Sequence, residues 1–173
     1  MAITTERLRQ PFSKGGAQEI YREIKSDGTF LDFAWHYAFL DDSRIARNAL
    51  WGLCQASDSE LSALQPILDK LIDQAMQTEN SSVRRMTLSL IDRLEISAAH
   101  VRADFLDFCL DHMASMSEPS GVQAVCMKLA FRMCRFYPEL MDELKRVLEA
   151  MEADYYLPAV KNVRNKILSG RFR

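Results

Sequence analysis

Three histidines and four cysteines have the widest chemical range in this 173-residue chain, but their spacing gives them little joint work. Cys109 and His112 stand three apart, so a helix would bring both onto one face as two metal ligands. Zinc takes three or four such ligands, and no further candidate falls nearby: His36, His100, Cys54, Cys126 and Cys134 lie in other contexts. No glycine-rich phosphate loop, G-x-S-x-G or H-E-x-x-H motif occurs. The chain therefore reads as non-enzymatic, without catalytic residues, cofactor or metal. All four cysteines sit in apolar helical patterns with no CxxC, the usage of reduced core thiols in a cytoplasmic protein.

A second set of residues recurs in register. Arg47, Trp51, Arg85, Arg93, Lys128, Arg132 and Lys166 fall two, six or ten residues after Ile45, Val83, Val122 or Val160. Of the twelve such positions six are basic and none is acidic. On a helix they point away from the apolar stripe and make a one-signed row. Guanidinium and ammonium groups so placed can donate charge-assisted hydrogen bonds to carboxylates, and Trp51 can act as an apolar anchor. The row is thus a candidate surface for an acidic protein or peptide. A plain solvated face is the competing reading.

The elements that carry the row repeat. Leu106, Cys109, Leu110 and Met113 follow the i, i+3, i+4, i+7 spacing of one helix face. Stepping back 38 residues gives Leu68, Leu71, Ile72 and Ala75, and another 38 gives Phe30, Phe33, Ala34 and Tyr37. Stepping forward 38 gives Leu144, Val147, Leu148 and Met151. A second helix opens at Ile45, Val83, Val122 and Val160. Asp41, Glu79 and Glu118 stand four residues before three of these, where an acid complements the positive end of a helix. Four helix pairs are predicted, over about 27–57, 58–97, 98–137 and 138–170. Residues 1–26 lie outside the period, and "AQEIYREIKS" there reads as an amphipathic helix capping the open end of a repeat domain, 27–173.

The segment "LQPILDKLIDQAMQTENSSVRRMTLSLIDRL" (64–94) resembles a HEAT repeat, of the HEAT-like, armadillo-type solenoids. It is similar in its leucine-proline-leucine first helix, acidic turn and valine-arginine second helix, with Pro66 where the family kinks. "IARNALWGL" (45–53) is similar to the same second-helix signature, with Ala46 for the arginine and Gly52 for the glycine. The resemblance implies an all-α fold, a right-handed α-α superhelix of about four pairs with an N-terminal helical cap. It also implies a convex wall of first helices and a concave wall of second helices.

Charge divides along that line. The four first-helix segments sum to −15, the four second-helix segments to +11, and residues 1–26 to +2, recovering the net −2. The resemblance therefore implies an acidic outside and a basic concave groove, and with them a protein-interaction scaffold. The alternative is nucleic-acid backbone binding. HEAT-like DNA alkylation-repair proteins use tryptophans and an aspartate, for which Trp35, Trp51 and Asp92 are candidates by type. The low pI, about 5.9, weighs against that partner. No apolar run is long enough for a membrane span, and no secretory leader is expected. The oligomeric state is open.

Overall fold

The computed structural model describes residues 2–173, and every regular element among them is helical. It divides into two compact units, Met1–Glu95 and Ile96–Arg173.

The first unit opens with α1 (Thr5–Arg9), which the sequence pattern did not predict, and α2 (Lys14–Asp27), which it did. The Thr4 hydroxyl accepts from Arg7 N and the Ser13 hydroxyl from Gly16 N, both at 3.2 Å, so each helix starts on a side-chain cap. Gly28, with φ of 66°, ends α2 in the left-handed conformation that glycine adopts most cheaply. The buried stripe of α2, Ala17, Ile20 and Ile24, packs on α4 (Ser43–Cys54). Gly52 marks the closest approach, where a Cβ would lie 2.7 Å from Ile20 Cγ2. The glycine is there because nothing larger fits beneath α2.

The first helices of this unit are interrupted and the second helices are not. Helix α3 (Phe30–Phe33) runs straight into a π-helical turn, Ala34–Ala38. In the next pair α5 (Asp58–Leu61) passes through a 3-10 stretch, Ser62–Ile67, into α6 (Leu68–Gln77). Pro66 lies in that stretch and has no N–H to give an α-helical ladder. Helices α4 and α7 (Ser81–Asp92) are unbroken and pack on each other. Their caps sit one residue later than the acids at Asp41 and Glu79: Asp42 accepts from Arg44 N and Ile45 N, and Asn80 from Val83 N. Leu68, Leu71, Ile72 and Ala75 are all buried, as their spacing predicts.

The second unit holds α8 (Ala103–Ala114), α9 (Ser120–Cys134), α10 (Pro138–Ala150) and α11 (Pro158–Leu168). The last two start on proline, whose missing N–H is one the first turn leaves unpaired anyway. Helix α9 is central: Val122, Cys126, Leu129, Ala130 and Met133 are buried, and it packs against α8, α10 and α11. Each large side chain so buried contributes about 1.5–3 kcal/mol. Leu110, expected at the centre of the α8 stripe, is only half-buried, while Phe105, Cys109 and Met113 are enclosed. The buried face of α8 is turned toward Phe105, which leaves Leu110 at its edge.

Candidate functional site

Which basic side chains can meet a ligand depends on which the fold already uses. A helix leaves its last four carbonyls without intrahelical donors, so any donor nearby is drawn to them. Arg84, one residue after Val83, sends Nε to Ala75 O at 3.0 Å and Nη2 to Thr78 O, closing the end of α6. Gln123 occupies the same register after Val122 and donates to Ser115 O at 2.7 Å, just past α8. In the last pair Arg164 reaches Leu148 O at 2.8 Å near the end of α10. Ala46 has nothing to donate at this register, and Gln74 from α6 supplies Ala38 O instead, at 2.8 Å. The arginine of the valine-arginine signature is a helix-end donor.

The seven candidate residues separate on the same test. Arg93 bonds Asp58 Oδ1 through Nε at 2.7 Å, Cys54 O through Nη1 at 3.0 Å, and Ala56 O through Nη2. It closes the end of α4. Arg47 donates Nε and Nη2 to Asn48 Oδ1 at 3.1 and 2.9 Å. Asn48 is fully buried and its Nδ2 donates to Leu8 O and Gln10 O, tying the N-terminal segment to α4. Trp51 is half-buried with its ring edge-on to Phe12, centroids 5.8 Å apart. Arg85 is exposed and its side chain makes no hydrogen bond or ion pair among the described residues. Burial pushes the Cys54 thiol up to about 11, and the positive charges of Arg93 and then Arg85 oppose that rise.

In the second unit Lys128 on α9 is half-buried and Lys166 on α11 exposed, and neither side chain has a partner among the described residues. Arg132 is half-buried and engaged by its surroundings. The structure thus leaves Arg85, Lys128 and Lys166 open, with Trp51 partly so.

Cys109 and His112 do not act together. Cys109 is enclosed beside Cys126, and burial followed by a hydrogen bond with Cys126 raises its thiol well above the usual range. His112 stacks on Phe108 with centroids 3.8 Å apart and meets Glu118 at 2.7 Å. Among the described residues no group of three or more His, Cys, Asp or Glu is placed to hold a metal, and no helix is long and apolar enough to cross a membrane.

One feature carried no signal in the repeat pattern. A polar cleft of about 550 Å³ opens in the first unit beside the π-helical turn, lined by Phe39, Leu40, Lys70, Gln74, Gln77 and Glu79 among others. At its edge Lys70 Nζ sits 4.5 Å from the Trp35 ring centroid, and Trp35 is 51% exposed. None of the seven candidate residues lines this cleft. A π-turn inserts a residue without changing the apolar spacing that precedes it, so the sequence showed only the helix.

A family model described as a HEAT repeat domain matches residues 4–171. Neither the curated proteins nor the solved structures yield a match.

Proposed function

Since the chain belongs to the HEAT-repeat family, whose repeats generally mediate protein–protein interaction and are typically non-catalytic, we propose that it is a scaffold for an acidic protein or peptide. Each unit presents the basic side of its second helices to that partner. In the first unit Arg85 is the donor and Trp51 the apolar anchor. In the second Lys128 and Lys166 are the donors. Arg47, Arg93 and Arg132, already engaged, add to the field without leaving their partners. The setting is the cytoplasm, where thiols such as Cys109 and Cys126 stay reduced.

The observation that supports this reading is the division of charge, −15 on first-helix segments against +11 on second, together with the Arg85, Lys128 and Lys166 side chains, which have no partner among the described residues. An unpaired cation on a one-signed face attracts a carboxylate without first giving up a bond of its own.

The test is a titration of a fluorescent glutamate-rich peptide and of a generic DNA duplex, each at several salt concentrations. Affinity for the peptide should fall as salt rises, since exposed charges are screened over ~8–10 Å near physiological ionic strength. The triple variant Arg85→Glu, Lys128→Glu, Lys166→Glu should lose binding and keep wild-type circular dichroism. Trp51→Ala should weaken binding at an unchanged salt slope. Tight duplex binding with a log–log slope of about −0.9 per phosphate neutralised would move the assignment to nucleic acid. If the triple variant binds the peptide as well as wild type, the basic face is only solvated.

A further inference from the structure

In the second unit the ends of α8 and α10 and the short 3-10 turn Ala153–Tyr155 border an open hollow of about 620 Å³. Met116, Val147, Met151, Glu152, Tyr155 and Tyr156 form most of its wall. The Tyr156 hydroxyl donates to Ala114 O at 2.9 Å, which pins the turn across the end of α8. Met116 and Tyr155 are nevertheless 62% and 69% exposed, and Leu157 beyond them is 61% exposed. Holding Met116 and Tyr155 in water on a concave wall is unfavourable for a chain folded on its own, and exposed apolar surface of this kind marks interaction sites. Their chemistry agrees: methionine adapts its shape to a partner, and tyrosine is enriched where proteins meet.

The charge around the hollow narrows the partner. Glu152 is the charged residue of the wall, and Glu149 and Asp154 flank it in sequence. All three are exposed and make no ion pair among the described residues. Lys145 and Arg146, the nearest cations along α10, lie outside the lining. An apolar wall edged by unpaired carboxylates complements a segment that is apolar on one side and basic on the other.

We propose that this hollow docks one amphipathic helix of a partner protein. The helix inserts large apolar side chains at i and i+3 or i+4 spacing between Met116 and Tyr155, and its lysines or arginines meet Glu149, Glu152 and Asp154. The required charge is opposite to that recognised by the second-helix faces, so the two readings succeed or fail separately.

The experiment uses the full chain and a labelled helical peptide of about four turns, leucine and phenylalanine on one face and lysine on the other. Fluorescence anisotropy should report binding that weakens as salt rises. Met116→Ser with Tyr155→Ser, both exposed and so compatible with folding, should weaken it about tenfold or more, as removal of interface anchors does. Glu152→Lys should weaken it about threefold or more and flatten the salt dependence. A peptide with glutamate in place of lysine should bind at least about tenfold more weakly. The proposal is overturned if the lysine peptide fails to bind, or if both variants bind it as wild type does. It is also overturned if sedimentation shows wild-type dimers that the Met116 and Tyr155 variant abolishes, because the occupant is then a second copy of this chain.

Discussion

Helix α7 in the first unit and α9 in the second close the end of the helix before them at the same register with different chemistry. In the first, α7 carries Arg84, Arg85 and Arg93, and two of these three cations are held by backbone carbonyls of neighbouring helix ends. In the second, the neutral amide of Gln123 serves α8, Arg132 on the same helix is engaged, and the Lys128 side chain has no partner among the described residues. The bond to a carbonyl needs an N–H, and charge is incidental to it. A basic residue at a repeated position is therefore a candidate for recognition only after the helix ends around it have been supplied.

Removing Arg93 should give the largest effect. Arg93→Ala strips donors from Cys54 O and Ala56 O and a partner from Asp58, and should cost about 2–3 kcal/mol in urea unfolding. Arg93→Lys should recover little, because a single ammonium cannot reproduce the planar fork. Next comes Gln123→Ala, which leaves Ser115 O with the Glu118 N–H alone and should cost about 1 kcal/mol. Gln123→Arg, which installs the first unit's residue in the second, should be better tolerated than Gln123→Ala. A worse result would mean that the two ends are built differently in more than their donor. Lys128→Ala should change stability by about 0.5 kcal/mol or less, and a loss above about 1 kcal/mol would remove the contrast between the units.

The smallest effect should appear in acid. The hydrogen bond from Arg9, followed by the backbone bond from Ile45, holds the Asp42 carboxyl below its ordinary 3.8. Its folded value is thus the lower one, so its contribution is complete above 3.8 and is lost as pH falls through that lower value. Helix α9 starts at Pro119 with no side-chain cap. Acid should therefore reduce amide-exchange protection at the start of α4 and leave the start of α9 unchanged. Equal loosening of both would show that Asp42 is not the group responsible.

The repeating pairs were legible because burial imposes a spacing on residue types. Leu68, Leu71, Ile72 and Ala75 announce a buried face whatever lies around them. Pro66 and Gly52 were legible as signature residues, and the structure adds why: one breaks a ladder, the other yields room to Ile20. Leu110 was misplaced because periodicity gives the direction of a stripe and not its width. Asp41 and Glu79 were read as acids that complement the helix dipole, an argument that does not resolve which residue of the turn bonds the first N–H groups, and the structure gives that bond to Asp42 and Asn80. The roles of Arg93 and Arg47 were not legible, since beyond the Asp58 carboxylate their partners are backbone carbonyls and a buried amide. Arg93 reaches 37 to 39 residues back in sequence. The free ends of helices were the available signal: asking which side chain could supply Cys54 O would have set Arg93 apart from Arg85.

Those two arginines stand eight residues apart on one helix, with the same charge, and one is held while the other is open. Thermal melts of Arg93→Ala and Arg85→Ala against wild type compare them most directly. Arg93→Ala should lower Tm by roughly 4–8 °C, the shift expected of about 2 kcal/mol in a chain of this size, and Arg85→Ala should stay within about 2 °C of wild type. Equal shifts for the two variants would contradict the claim that partners, and not register or sign, decide which basic residues hold this fold and which are left for recognition.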